Sequence, residues 1–175
     1  FKNFFQKKTI WCASSTHENE EEFCGLIHKE LKKKYKNLLT IIIPRHINRV
    51  SSIIKQLHKL DLKTHTYHSN EKIKKDTDVF VVDAYGKTKS FYNFCKHVFL
   101  GGSIINHGGQ NPLEATRFGC NILHGPNVSN FREIYDFLKK NKISQNIKDK
   151  KKMIRALAKL FSKKSESKKI KKKLD

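Results

Sequence analysis

The residues with the most chemical potential lie in four short segments, each of which follows an apolar run. Pairs of glycines in the last segment allow the backbone to approach a ligand closely, because glycine carries no Cβ. Backbone amides at the start of a following helix bind phosphate well. Together the segments favour a pocket for a nucleotide sugar or a nucleotide phosphate. They span residues 14–18, 44–46, 83–87 and 101–114.

The last of these segments has the most specific features. Pro112 favours the first position of a helix, so Glu114 would lie in the first turn, where a carboxylate can accept hydrogen bonds from ribose hydroxyls. In the second segment, the guanidinium of Arg45 matches a phosphate bidentately. Structural explanations stay open for each feature: the glycines could serve a turn with positive φ, Asn111 or Glu114 could cap the helix, and Arg45 could be an ordinary surface residue.

Six apolar runs predict the strands that position these segments, at residues 9–14, 38–43, 64–68, 78–83, 98–100 and 121–124. Amphipathic stretches between and after them predict helices, which include residues 48–60, 87–95, 112–119, 131–138 and 153–161. Alternating strands and helices are typical of an α/β fold, a parallel sheet with helices on both faces. In such sheets, ligands bind beyond the carboxyl ends of the strands.

The helix after the first strand has an acidic start. Ser15 and Glu18 have the spacing of a capping box, and Glu18, Glu20, Glu21 and Glu22 suit the positive end of a helix dipole. We interpret these glutamates as a solvent-facing first turn rather than as acid/base residues.

Length and composition exclude several classes of protein. The chain has 175 residues and a net charge of +21, which corresponds to about one domain. Its recurring apolar blocks argue against full disorder, and no apolar run approaches the ~20 residues of a spanning helix. Because the sequence opens on Phe1 rather than Met, we expect it to be a piece of a longer protein.

The positive charge is concentrated near the end of the sequence. Residues 139–175 hold 16 Lys or Arg against 3 Asp or Glu, which leaves +13. We predict a domain over residues 1–162 and a basic, frayed tail over residues 163–175. The four cysteines form no Cys-x-x-Cys pair and are expected to be reduced, buried thiols. His65 and His68 lack a second ligand pair, so we predict no metal site.

Five motifs follow one another along the sequence. They are Trp11-Cys12-Ala13-Ser14-Ser15-Thr16-His17-Glu18 with Glu20-Glu21, Ile43-Pro44-Arg45-His46, Gly101-Gly102-Ser103, Gly108-Gly109-Gln110-Asn111-Pro112-Leu113-Glu114, and Gly125-Pro126 with Asn130-Phe131. Each motif alone is loose, whereas the ordered set is specific. In this order, over about residues 9–147, they resemble the motifs of the Kdo transferases, the 3-deoxy-D-manno-octulosonic acid transferases of lipopolysaccharide synthesis.

This resemblance implies a GT-B glycosyltransferase with two Rossmann-like domains, of which the chain is the C-terminal, donor-binding half. Such enzymes transfer Kdo from CMP-Kdo to the lipid A precursor, with inversion of the anomeric centre and without a metal or other cofactor. Of the family's contacts, Arg45 would bind the phosphate or the cytidine face, Glu114 the ribose hydroxyls, and amides near Asn111 the phosphate. The full set carried over is Pro44, Arg45, Tyr85, Gly86, Lys87, Asn111, Pro112, Leu113 and Glu114.

Two positions depart from the family pattern. The family usually has His where this chain has Gln110, although His107 is near in sequence and could occupy similar space. It usually has Glu where this chain has Lys87, which could contact phosphate directly. A contact that a carboxylate makes in the family would then be lost or inverted.

The resemblance also implies that the catalytic base, the acceptor groove and the membrane anchor belong to an N-terminal half outside these residues. We therefore predict no catalytic residue in this chain, which would bind the donor but not turn over alone. The lipid A precursor would be bound through the other half. The full enzyme would work at the cytoplasmic face of the inner membrane, with this domain in the cytosol and its basic stretch attracted to the anionic membrane.

Two rival functions remain open. The pI of about 9.9 and the twelve Phe residues are compatible with a nucleic-acid-binding module. Most Phe residues, however, occupy core-like positions such as Phe80 and Phe99, and no aromatic motif like that of an RNA recognition motif (RRM) and no zinc finger is present, so we predict no nucleic-acid partner. The second rival keeps the GT-B fold but uses a UDP-sugar donor.

Overall fold

The computed structural model describes residues 1–163 and 167–174. The strands are β1 (Thr9–Thr16), β2 (Leu38–Pro44), β3 (Thr64–Thr66), β4 (Val79–Val81), β5 (His97–Leu100), β6 (Asn121–His124) and β7 (Ser144–Asn146). The helices are α1 (Lys2–Phe5), α2 (Glu20–Lys32), α3 (Val50–Lys59), α4 (Thr88–Tyr92), α5 (Leu113–Arg117), α6 (Arg132–Lys140), α7 (Lys150–Ser162) and α8 (Ser167–Leu174). Short 3₁₀ turns at Ile47–Arg49 and Ser129–Phe131 precede α3 and α6.

The seven strands form one parallel sheet in the order β3-β4-β2-β1-β5-β6-β7. All six predicted strands are present. The chain moves from β1 to one side of the sheet and then, at β5, crosses to the other side. The strand order therefore reverses between β1 and β5, and their carboxyl ends flank the crevice where ligands of such sheets bind.

The core has two layers because side chains of a pleated strand alternate between faces. On one face, Trp11 and Ala13 of β1 pack with α2, α3 and α7. On the other face, Cys12 packs with α1, α4, α5, α6 and α8. Each layer includes apolar residues from most strands, which confirms the predicted sheet with helices on both faces.

The four cysteines occupy this interior. Cys12, Cys24, Cys95 and Cys120 are buried free thiols, as predicted. Burial raises the pKa of the thiols of Cys12, Cys24 and Cys120. These thiols therefore act as small apolar groups rather than as nucleophiles.

The acidic start of α2 differs from our prediction. The capping box is wrong, because β1 continues to Thr16 and the residue before the helix is Asn19, whose side chain makes no capping hydrogen bond. The prediction that these glutamates face solvent is confirmed for Glu18 and Glu22 but is wrong for Glu20 and Glu21, which are fully buried. Their carboxylates face neighbouring loops rather than solvent.

The basic end of the chain also differs from the predicted frayed tail. Residues 167–174 form α8, in which Ile170 is only 4% exposed. Leu174 lies four residues later on the same helix face and packs against the same core layer. Two apolar residues at helical spacing therefore anchor a segment that is otherwise rich in lysine. The remaining part of the predicted tail, residues 164–166 and Asp175, lies outside the described residues.

Two small elements were not predicted, α1 and β7. The β7 sequence Ser144-Gln145-Asn146 is polar, with only Ser144 buried, so it lacks the apolar pattern of a strand. It pairs with β6 at the edge of the sheet. Among the described residues, no helix is long and apolar enough to span a membrane.

Candidate nucleotide-sugar site

A buried carboxylate organises the crevice between β1 and β5. Glu20 Oε2 accepts hydrogen bonds from the backbone amides of His17 (3.0 Å) and Gly102 (2.8 Å). Glu20 Oε1 accepts bonds from the amides of Ser103 and Ile104, both at 3.1 Å. Four amides thus stabilise one fully buried charge. Glu20 is the main structural residue of the site that the sequence interpretation missed.

The absence of a side chain at Gly101 allows the two loops to meet. A Cβ placed there would lie 2.3 Å from the carbonyl oxygen of Ser15 and 2.7 Å from both Thr16 Cα and Glu20 Oε2. Two of these neighbours are backbone atoms and cannot rotate away. Gly101 is therefore required for close approach of the β1 and β5 loops.

The second glycine pair closes the loop after β5. Gly108 and Gly109 have φ values of 95° and 83°, a region that favours glycine. The amide of Gly109 donates to the carbonyl of Gly102 (2.8 Å), and the amide of Asn130 donates to the carbonyl of Gly108 (3.0 Å). The structural explanation that the glycines serve positive-φ turns is therefore correct, and these turns bring Gln110 and α5 back towards β1.

The folded loop forms one wall of a cleft of about 560 Å³ at the carboxyl end of the sheet. Three of its lining residues belong to the predicted set: Asn111, Leu113 and Glu114. The others come from β1, α4, β5, the loop after β5 and the end of α5. The lining residues are Ser15, Thr88, Tyr92, Leu100, Gln110, Asn111, Leu113, Glu114 and Arg117.

Glu114 lies in the first turn of α5, as predicted, and is held in place from outside its own helix. Its Oε2 accepts a hydrogen bond from Thr88 Oγ1 (2.8 Å), and Lys89 Nζ lies 3.8 Å from Oε1. The side chain remains 42% exposed, so the carboxylate is both oriented and accessible. Asn111 precedes the cap residue Pro112, and its Oδ1 accepts a bond from the amide of Leu113, the first residue of α5 (3.0 Å).

The residues after β2 lie at the same edge but do not line the cleft. The amide of Arg45 donates to the carbonyl of Thr16 at the end of β1 (3.0 Å), which ties this loop to the crevice. The guanidinium of Arg45 is exposed and makes no hydrogen bond or ion pair with the described residues. Pro44 is buried at the end of β2, and Pro112 is buried at the cap position of α5 rather than inside the helix.

The residues after β4 approach the cleft from the other side of β2. Tyr85 is 63% exposed, and Gly86 has φ 71° with open space where a side chain would lie. Lys87 caps α4 next to the cleft residue Thr88, and its Nζ lies 5.7 Å from the ring centroid of Tyr67. None of these three residues lines the cleft itself.

Six cleft residues lie outside the predicted set: Ser15, Thr88, Tyr92, Leu100, Gln110 and Arg117. The hydroxyl of Tyr92 lies 2.8 Å from Ser14 Oγ, which links α4 to the end of β1. Burial raises the pKa of Tyr92, so the phenol stays protonated at neutral pH. The only available sequence signal was the position of these residues immediately after strands or in the short helices that follow them.

At Gln110, where the family usually has histidine, a histidine from the same loop lies close by. A Cβ at Gly102 would lie 3.0 Å from His107 Cδ2 and 3.1 Å from Gln110 Nε2, so both side chains approach the same glycine. His107 thus lies next to the position where the family usually has histidine. Among the described residues, no group of three or more His, Cys, Asp and Glu is arranged to hold a metal ion.

Comparisons with known proteins identify relatives of the chain. It is 35% identical over 133 residues to 3-deoxy-D-manno-octulosonic acid transferase of Haemophilus influenzae, an alignment that covers 76% of the chain and 31% of the relative. It is 32% identical over 156 residues to the enzyme of the same name from Aquifex aeolicus, covering 89% of the chain and 43% of the relative. The chain belongs to the Kdo transferase family. It spans less than half the length of these Kdo transferases, and no protein-family model matches it.

Solved structures agree on the fold. The C-terminal CMP-Kdo binding domain of WaaA from Acinetobacter baumannii superposes with a TM-score of 0.89 at 22% identity, over 97% of this chain and 89% of that chain. A UDP co-structure of MnaA from S. aureus gives a TM-score of 0.58 at 11% identity, over 98% of this chain and 41% of that one. The Kdo transferase relationship and the first match confirm the predicted fold, the C-terminal half of a GT-B enzyme.

Proposed function

We propose that the chain is the donor-binding domain of a glycosyltransferase that transfers Kdo from CMP-Kdo to a lipid A precursor in lipopolysaccharide synthesis. The observation that carries this proposal is the cleft at the β1–β5 crevice, into which the Asn111–Glu114 motif of the Kdo transferases is folded. Sequence relatives of that name cover most of the chain and support the same donor.

Within this proposal, each polar group has a role that suits its chemistry. The oriented carboxylate of Glu114 accepts hydrogen bonds from the ribose hydroxyls. Arg45, exposed at the same edge of the sheet, binds the phosphate or the cytidine face. Amides near Asn111 bind phosphate, with Pro44 and Pro112 shaping the backbone at the two loops.

We include Tyr85, Gly86 and Lys87 in the proposed donor site, because Lys87 directly precedes the cleft residue Thr88. Gly86 leaves space for a ligand at the turn, because nothing lies within 4 Å of its missing side chain. Lys87 supplies a cation where the family usually has a carboxylate, which suits a direct contact with phosphate. Gln110 and Arg117 extend the predicted set, since both line the same cleft.

The proposed reaction inverts the anomeric centre and uses no metal, and its catalytic base lies outside this chain. Consistent with that division, Glu20 and Glu21 are buried and already occupied: Glu20 by four amides, Glu21 by Thr16 and a bidentate pair with Arg49. Neither carboxylate is available to deprotonate an acceptor hydroxyl. We therefore expect donor binding without Kdo transfer.

Isothermal titration calorimetry of the chain with CMP, UDP and a single-stranded RNA tests the proposal. We expect CMP to bind, UDP to compete weakly, and RNA binding to be weaker than CMP binding and steeply salt-dependent. Stronger binding of UDP would favour the UDP-sugar alternative, and stronger binding of RNA the nucleic-acid alternative. Kdo transfer to a lipid A precursor by this chain alone would refute the assignment of catalysis to the missing half.

We further propose that the basic end of the domain is attracted to an anionic membrane, which would place the acceptor lipid and the enzyme together at the cytoplasmic face of the inner membrane. A cleft of about 510 Å³ lies near the amino ends of β5, β6 and β7, and its described lining includes no acidic residue. Each lysine near an anionic leaflet contributes roughly 1 kcal/mol. The lysines that line the cleft are Lys139, Lys142, Lys159, Lys163, Lys169 and Lys173.

Co-sedimentation with vesicles that contain anionic lipid tests this surface. Deleting residues 163–175 would also remove Ile170 from the core, so charge reversal is the sharper change. We expect the triple variant Lys142→Glu, Lys159→Glu and Lys163→Glu to lose most vesicle binding. The matched control reverses three exposed lysines outside the cleft, Lys29, Lys36 and Lys55. Equal loss in both variants would contradict a localised surface and indicate an effect of net charge.

A further inference from the structure

Three imidazoles meet beside the nucleotide cleft, each from a different loop. His17 follows β1, His46 follows β2 and His107 lies in the loop after β5. The ring centroids of His17 and His107 are 4.2 Å apart, and those of His17 and His46 are 6.0 Å apart. His46 and His107 are exposed, whereas the side chain of His17 is 11% exposed. The imidazole cluster is therefore open to a ligand from solvent.

The hydrogen bond of His17 determines which of its nitrogens can meet a ligand. Its Nδ1 lies 3.1 Å from the carbonyl oxygen of Ser15. Because a carbonyl only accepts, Nδ1 carries the proton of the neutral ring, and Nε2 is then a bare acceptor. Nε2 makes no hydrogen bond with the described residues, and it becomes a donor only when the ring is protonated.

The groups around His17 determine how readily its ring takes up a proton. Burial lowers the pKa of His17, His107 and His46 lower it further, and Glu20 and the Ser15 carbonyl oppose them. The Glu20 carboxylate lies 4.0 Å from Nδ1 but is already bonded to four amides. The groups that face His17 are thus two imidazoles and one engaged carboxylate.

The cluster is continuous with the nucleotide cleft through Gly102 and Gln110. A Cβ at Gly102 would lie within 3.3 Å of His17 Cε1, His107 Cδ2 and Gln110 Nε2, so these three side chains surround one bare Cα. Gln110 also lines the cleft. A ligand whose nucleotide occupies the cleft can therefore extend a second group to the imidazoles.

We propose that His17, His46 and His107 bind the carboxylate of the sugar acid carried by the donor nucleotide. This inference rests on the proposed function, because a 3-deoxy-octulosonic acid linked to CMP carries such a carboxylate. A carboxylate accepts several hydrogen bonds and stabilises imidazolium, so binding takes up a proton on the cluster. The imidazoles thereby distinguish a sugar-acid nucleotide from a neutral sugar nucleotide.

Calorimetric titration with CMP and with CMP-Kdo tests this role. The affinity ratio of CMP-Kdo to CMP should fall about tenfold in His107→Ala, the cost of one charge-assisted hydrogen bond. CMP binding itself should stay within about twofold of the wild-type value. The matched control is His58→Ala, since His58 is exposed at the end of α3, away from the cluster.

A pH series separates a charged contact from mere packing. As the pH is lowered from 8 to 6, the ratio of CMP-Kdo affinity to CMP affinity should rise in the wild-type chain. Proton uptake should make the binding enthalpy depend on the ionisation enthalpy of the buffer. His107→Gln keeps a polar side chain but cannot be protonated, so its pH dependence should be weaker. The wild type and His107→Gln are measured with the same ligands, so protonation of the ligands themselves does not contribute to the difference between the two pH profiles.

The outcomes for the two proposals differ. An unchanged ratio and pH profile in both His107 variants, with CMP binding intact, would overturn the carboxylate role and leave the donor-binding function standing. Failure of the wild-type chain to bind either ligand would overturn the proposed function and this inference together. Circular dichroism of each variant checks that the fold is retained.

Discussion

The two ends of the parallel sheet use carboxylates in different ways, one fully buried and the other 14% exposed. At the carboxyl end, Glu20 is surrounded by four backbone amides from the loops after β1 and β5. At the amino end, Asp78 pairs with His28 (3.3 Å) and Lys32 (3.4 Å) and accepts a bond from the amide of Lys63 (2.9 Å).

The two sets of contacts have different roles: those of Glu20 shape a site, whereas those of Asp78 hold neighbouring elements together. Amides belong to the backbone, so neutralising Glu20 with them determines the path of the glycine-rich loop. Asp78 accepts a bond from only one backbone amide, and its other partners are the side chains of His28 and Lys32, so its contacts mainly connect α2 to the sheet. The cleft thus lies at the end of the sheet where four backbone amides surround one carboxylate.

Removing the Glu20 charge should have the largest effect. In Glu20→Gln, a side-chain NH₂ group replaces one carboxylate oxygen, and it cannot accept the hydrogen bonds that this oxygen receives from backbone amides. We expect the free energy of unfolding in urea to fall by about 3 kcal/mol and CMP binding to be lost. Glu22→Gln is the control, because Glu22 has the same charge in the same helical turn but is exposed, and it should change stability by less than about 0.5 kcal/mol. Similar losses in both variants would contradict the role of the amide cage.

A second carboxylate at the same end sharpens the comparison, because Glu114 faces the cleft instead of the loop backbone. We expect Glu114→Gln to weaken CMP binding about tenfold while changing unfolding free energy by less than about 0.5 kcal/mol. Glu133→Gln, an exposed change on α6, should alter neither quantity. A large loss of stability in Glu114→Gln would indicate that this carboxylate is structural as well.

The amino end should respond to acid rather than to ligand. Burial opposes ionisation of Asp78, but the hydrogen bonds from His28 and the Lys63 amide, together with the charges of His28 and Lys32, outweigh it and lower the pKa to about 2. Because this value lies below that of the unfolded chain, Asp78 stabilises the fold fully above about pH 4 and loses that contribution as pH falls towards 2.

Acid titration of stability measures this contribution. We expect the unfolding free energy of the wild-type chain to fall by about 1 kcal/mol more than that of Asp78→Asn between pH 5 and pH 2, after allowance for solvent screening. Asp76→Asn, which alters an exposed pair with Lys63, should follow the wild-type profile closely. Parallel profiles for the wild type and Asp78→Asn would show that the charge of Asp78 contributes nothing to stability.

Much of the fold could be predicted because its signals are local. Continuous apolar runs such as Leu38–Pro44 read as buried strands, and helical spacing of apolar residues identified α3, α6 and α7. The polar strand β7 could not be predicted this way, because it is defined by hydrogen bonds to β6 rather than by buried side chains. The helix α8 was missed because lysines mask the two apolar residues that anchor it.

Part of the site could also be predicted from local sequence signals. Motif order located Asn111 and Glu114, which do line the cleft. The role of Glu20 could not be read from its neighbours, because its partners Gly102 to Ile104 lie more than 80 residues away. Likewise, nothing local distinguishes Glu20 from Glu22, which lies in the same turn of α2 but is exposed to solvent.

The amino-acid sequence by itself determined the class of fold, the family and the segments that meet at the carboxyl edge, since these follow from apolar periodicity and ordered motifs. Only the tertiary structure decided which carboxylates are buried, which residues share the cleft, and that three histidines from separate loops lie side by side. The physical reason is that burial and contact depend on which loops the sheet order brings together, and the reversal between β1 and β5 joins segments that are far apart in the chain.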